Sequence, residues 1–176
     1  MRIRQLVTVT AWVVGCVAAL GCGGDPAQET KTYYYNGTNT TRSPDGQVMG
    51  MGETLLRRVF DGPNSQIIEH VLTKDAQQGV QENTLTFAVT GATFQDTATG
   101  FTGELQGDPW KWSEWTAYGA LPNGLKLEST STISEDQVSV DMKFKNGDAL
   151  QFTLKHEVTA TTQSDFEQKR SQWIPQ

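Results

Sequence analysis

Two histidines, His70 and His156, a tryptophan triplet at Trp110, Trp112 and Trp115, and the acidic Glu114 among them are the side chains best suited to chemistry in this sequence. Catalysis by any of them needs a partner at short range, either a nucleophile beside a base or a base oriented by a third group. The two histidines lie far apart, and no His-x-His, Cys-x-x-Cys or His-Glu-x-x-His occurs. A zinc site therefore has no ligand spacing to start from. His156 as a lone haem ligand is the metal reading that remains, and no cofactor is expected. An isomerase or hydrolase using Glu114 or His156 as its base would rest on single residues.

The same residues suit the wall of a cavity better than a catalytic centre. Glu114 shares strand phase with Trp112, and His156 shares phase with Phe152, Leu154 and Val158. Phe144 closes a row with Val138, Val140 and Met142, while Ser129 continues the phase of Leu125 and Leu127. Arg58 shares phase with Leu56 and Phe60 and could reach inward toward a carboxylate. Together Arg58, Trp112, Glu114, Ser129, Phe144, Phe152, Leu154 and His156 describe apolar walls with a few convergent polar groups, the composition of a small-ligand site. The plainer reading of each is core packing for the aromatics, a satisfied core histidine, and a solvated strand end for Arg58.

The elements that must position these residues are strands. Apolar and polar residues alternate cleanly over Val138–Phe144 and Ala149–Ala160, the signature of antiparallel strands with one wet face. Further runs are expected over 33–42, 47–60, 65–73, 82–89, 92–97, 101–106, 110–117 and 125–133. They are punctuated by turn chemistry such as Ser43-Pro44-Asp45-Gly46, Asp61-Gly62-Pro63, Leu121-Pro122-Asn123-Gly124 and Asn146-Gly147. Ser164-Asp165-Phe166-Glu167 reads as a capping box opening a short helix to Trp173, docked by Phe166 and Trp173. A meander of eight to ten strands with almost no helix avoids exposed edges most simply by closing on itself.

The N-terminus carries a different kind of information. Met1-Arg2-Ile3-Arg4 is basic, and Leu6–Leu20 is an apolar stretch closed by small residues, too short for a comfortable membrane span. Ala19-Leu20-Gly21-Cys22 resembles the bacterial lipobox, with Ala19 where Leu is usual. The resemblance implies removal of residues 1–21 and acylation of Cys22, and Val13-Val14-Gly15-Cys16 is a looser alternative. Gly23, not Asp, follows Cys22, and the resemblance then implies outer-membrane residence. An ordinary secretory signal, giving a soluble periplasmic or secreted protein, is the alternative address. A Cys16–Cys22 disulfide would require the leader to stay.

The chain carries 14 basic and 20 acidic residues, a formal charge of −6. Losing Arg2 and Arg4 leaves 12 against 20, or −8. Such a surface repels nucleic-acid phosphates and anionic headgroups, so neither nucleic acid nor an electrostatic membrane face is expected. Attachment to a bilayer would have to come from acyl chains, each buried methylene contributing about 0.8 kcal/mol.

The meander of the mature chain resembles small calycin-type barrels, the lipocalin and fatty-acid-binding architecture, and in particular bacterial lipoproteins built on that plan. A two-sheet sandwich is the fallback. The expected organisation is a leader over 1–21, a lipidated tether over 22–31, a β-barrel over 32–161 and a C-terminal helix over 162–176. The resemblance implies a binding module for a small hydrophobic or amphiphilic ligand. A solidly filled barrel that meets another envelope protein through an outer patch is the competing expectation.

Overall fold

The structure is a computed structural model that describes residues 29–98, 102–105, 114–120 and 124–174, with backbone alone for 105 and 114–120. Ten antiparallel strands run in order: β1 (Lys31–Arg42), β2 (Val48–Asp61), β3 (Gln66–Asp75), β4 (Gly79–Thr90), β5 (Thr93–Asp96), β6 (Thr102–Leu105), β7 (Glu114–Ala120), β8 (Lys126–Ile133), β9 (Gln137–Asn146) and β10 (Ala149–Ala160). Each pairs with the next, and β1 pairs with β10, so the sheet closes into a barrel. A meander has only two edges, and the β1–β10 ladder from Tyr35↔Ala160 to Arg42↔Thr153 removes both. The sandwich is excluded. β7 extends three residues beyond the expected Ala117, because the ladder with β8 runs on through Gly119↔Leu127 to Ala120↔Lys126.

Closure brings backbones unusually near at one point. A Cβ at Gly37 would overlap the carbonyl oxygen of Glu157 and come within 2.7 Å of Val158 Cα, whereas one at Gly50 would meet open space. Gly37→Ala should therefore push β1 from β10 and cost about 1–3 kcal/mol or more, as overpacking does. Gly50→Ala should be neutral or slightly stabilising. Urea midpoints for the two variants check this, and equal midpoints would refute the close approach.

After β10 comes α1 (Gln163–Trp173), which lies on the outer wall. Its N-cap is Thr162, whose side chain accepts from the Asp165 N–H, two residues earlier than the expected Ser164. Thr162 is still extended, with φ −76° and ψ 156°, so the helix can begin at Gln163 and Ser164 falls inside its first turn. Phe166 and Trp173 are buried against Leu55 and Leu72, as expected of the two aromatics. Burying each contributes about 1.5–3 kcal/mol. Lys169 reaches Glu53 at 2.6 Å and Asn36 Oδ1 at 2.9 Å. Leu55 and Leu72 thus face outward into a second core beneath the helix, which explains why β2 reads as a continuous apolar run at Leu55-Leu56.

Candidate functional site

Inside the barrel, the two ends differ. At the end where β1 begins and the β2–β3, β4–β5 and β8–β9 turns lie, the lumen is filled by Tyr35, Leu56, Phe60, Ile67, Phe87, Phe94, Ile133, Val138 and Val158. The Tyr35 hydroxyl, kept protonated to about 12 by burial against the opposing pull of Arg58, donates to Ser134 O at 3.2 Å and ties that end to the β8–β9 turn. Within the packing sits an ion pair. Arg58 is 1% exposed and Glu69, its cross-strand partner, 12%. Arg58 Nε donates to Glu69 Oε1 at 2.7 Å, and Nη2 donates to the same oxygen.

At the waist the interior turns polar. Asn39, Thr54, Ser131 and His156 are all buried, on rows that point inward with Val138 and Val158. Asn39 faces His156 across β1 and β10. Its Nδ2 donates to Glu53 O at 3.2 Å and to Thr54 Oγ1 at 3.1 Å, and Thr54 Oγ1 lies 3.0 Å from His156 Nδ1. Gly52 makes room for this amide, since a Cβ there would stand 3.1 Å from Asn39 Nδ2. Burial pulls the His156 pKa from 6.5 down to about 4, so the ring is neutral at physiological pH.

Toward the other end the inward rows become half-exposed. Phe144 and Phe152 stack at 4.3 Å with planes 16° apart, and Leu127, Ser129, Met142 and Leu154 continue their rows, all partly open to water. Gly50, opposite Thr41 on an inward row, fronts open space. The wall is also low on one side, because β5 covers only Phe87–Thr90 of β4. Among the described residues no strand flanks β4 there from 79 to 85. Over the described residues this half of the lumen is lined by half-exposed, mostly apolar side chains above a polar floor, a candidate chamber.

Of the residues singled out from sequence, Phe144, Phe152, Leu154, Ser129 and His156 come together in this chamber and its floor. Arg58 points inward to a carboxylate but lies in the filled half, away from them. Its reading as a solvated strand end fails, because the β2–β3 hairpin continues to Asp61 and buries it. Glu114 pairs with Thr132, a register row shared with exposed Thr130 rather than with buried Ser131 and Ile133. Cys22, Trp110 and Trp112 lie outside the described residues. His70 sits on an outward row opposite Arg57, bonded to Thr84 Oγ1 at 3.0 Å, and its pKa is lowered first by burial and then by Arg57. Sequence reasoning missed Asn39, Thr54 and Glu69. A hairpin folded about Pro63 and Asn64 could have placed Glu69 opposite Arg58, whereas nothing local signals that Asn39 meets His156.

Other concavities carry less chemistry. A groove of about 470 Å³ crosses the outer face of β4, β5 and β6, lined by Ala88, Thr93, Gln95 and Glu104 among others. No cluster of three His, Cys, Asp or Glu able to hold a metal ion occurs among the described residues. No protein-family model matches this chain, and comparison with curated proteins finds no match.

Proposed function

We propose that the protein is a lipid-anchored component of the bacterial cell envelope whose half-open barrel holds a small hydrophobic or amphiphilic ligand. The observation that carries the reading is the contrast within one lumen. Nine apolar residues fill one end, while the other presents the Phe144–Phe152 stack, Met142 and Leu154 to water. Leaving large apolar side chains half-exposed inside a closed sheet forfeits burial that a filled core would gain. An apolar occupant recovers it.

The anchor rests on the resemblance of Ala19-Leu20-Gly21-Cys22 to a lipobox, and Gly23 favours the outer membrane. β1 starts at Lys31 at the filled end, so a tether from Cys22 would attach there and leave the mouth at the far end. Incorporation of labelled palmitate by the wild type but not by Cys22→Ala in the native host would support this. Equal labelling, or none in either, would refute it.

For the ligand, a fluorescent medium-chain amphiphile should bind the mature protein saturably. Phe152→Ala should weaken it about tenfold or more, because the lost ring contributes upward of about 1.5 kcal/mol of apolar burial. Lys143→Ala, on an outward row, should not change it. A probe that fails to saturate would reject the binding role.

The interaction module has one observation in its favour. Val48, Met49 and Met51 at the start of β2 are 49%, 58% and 65% exposed, a small apolar patch beside the mouth. Pull-downs that depend on Met49 and Met51, together with a probe that does not bind, would shift the reading to that role.

A further inference from the structure

The hydrogen bonds at the floor of the chamber bear on which ring nitrogen of His156 carries the proton. Asn39 Nδ2 donates to Thr54 Oγ1, which lies 3.0 Å from His156 Nδ1, and because Thr54 is buried, donation of its O–H to Nδ1 is the arrangement that leaves that hydrogen satisfied. A neutral imidazole that accepts at Nδ1 bears its proton at Nε2. Nε2 has no protein partner among the described residues, nor has Asn39 Oδ1, and neither atom is sealed from solvent. Because Asn39 and His156 are cross-strand partners, a donor and an acceptor stand side by side at the base of an apolar chamber.

Among the described residues no cation accompanies them. The basic residues that these place on the inward rows are Arg58, held by Glu69 within the filled end, and Lys31, exposed at the start of β1 at that same end. Lys143 and Lys145, near the mouth, belong to rows that carry Glu128 and Lys126 outward, and Lys145 bonds Glu128 at 2.6 Å. An ionised head group entering the chamber would lose its hydration with no counter-charge to replace it, which costs far more than an unmet neutral hydrogen bond.

From this geometry we infer that the chamber selects amphiphiles with an uncharged head that both donates and accepts a hydrogen bond, a hydroxyl or primary amide, and rejects carboxylates and phosphate monoesters. The inference rests on the binding reading above and narrows it. The floor lies four residues along β10 from Phe152, about 13 Å at the rise of a strand. A medium-length alkyl chain would therefore span from His156 to the aromatic stack.

The test is displacement of the fluorescent probe from the mature protein at pH 8 by decanamide, 1-decanol, methyl decanoate and decanoate. Decanamide and decanol should bind about 100-fold more tightly than decanoate, the discrimination expected when a buried charge lacks a partner. Methyl decanoate, which can accept from Nε2–H but cannot donate to Asn39 Oδ1, should fall about tenfold below decanamide. In parallel, two-bond proton–nitrogen NMR correlations on the wild-type protein should show His156 neutral and protonated at Nε2. Decanoate binding as tightly as decanamide, or a His156 proton at Nδ1, would overturn the selectivity while leaving a ligand-binding barrel in place. Failure of the probe and of every competitor to bind would overturn both.

Discussion

Replacing Arg58 by methionine should destabilise the protein by about 3–5 kcal/mol, and replacing Glu69 by leucine in the same chain should restore most of that loss. The expectation follows from where the pair sits. Arg58 is 1% exposed and Glu69 12%, amid Tyr35, Leu56, Phe60 and Ile67, so water contributes little to solvating either charge. Their mutual hydrogen bonds offset a desolvation cost that each would otherwise bear alone. Removing only the guanidinium leaves a carboxylate in the core without its cation, while removing both replaces a charged pair by apolar volume that the surrounding cluster can pack. The measurement is urea unfolding of the wild type, Arg58→Met, Glu69→Leu and the double variant, read as a double-mutant cycle. Additive losses from the two single variants would mean that the two charges do not depend on one another, and would sink the account. Since a domain of this size is stable by only about 5–15 kcal/mol, the single Arg58 variant should already unfold at markedly lower urea.

That pair also shows where the sequence is readable and where it is not. Strand periodicity in β9 and β10 placed Val138, Val140, Phe144, Phe152, Leu154 and His156 on inward rows, because alternation with period two survives any arrangement of the neighbouring strands. Turn chemistry at Asp61-Gly62-Pro63 marked a hairpin, and a hairpin fixes register locally, so Arg58 opposite Glu69 is information the chain contains within a dozen residues. Closure is different. The ladder that sets Asn39 against His156 joins residues from the first and last strands, and no turn between them fixes its register. The small residue that permits it, Gly37, is indistinguishable in sequence from a turn glycine. Outward apolar residues such as Leu55 and Leu72 were equally hard to assign, because their partner is a helix more than ninety residues later in the chain. Glu114 stands opposite Thr132 in the β7–β8 ladder, and Trp112, from which its phase was counted, lies outside the described residues.

Acidification should weaken the fold between pH 6.5 and about 4 by an amount traceable to His156. In the folded chain burial holds this imidazole neutral down to about 4, while an unfolded chain takes up the proton near 6.5. Over that interval the unfolded state binds a proton that the folded state refuses, so stability rises with pH and falls as pH drops. The loss is absent above about 6.5 and complete below about 4, where both states are protonated, and its full size is about 3 kcal/mol. Carboxylates contribute an acid-side slope of their own. Asp45, held low first by its hydrogen bond from Ser43, and Glu128, held low first by that from Lys145, are examples on the exposed surface. Because those groups are common to both proteins, comparison with His156→Gln isolates the imidazole. The glutamine amide can still meet Thr54 yet takes up no proton, so the difference in unfolding free energy between wild type and variant should change by about 3 kcal/mol across this window and by little above pH 7. The wild type must be the one that loses ground on acidification. Parallel stability curves from pH 7.5 to pH 4 would mean that the imidazole is open to water in the folded barrel. The burial of the polar floor, on which both the neutral ring and its choice of head group depend, would then be wrong.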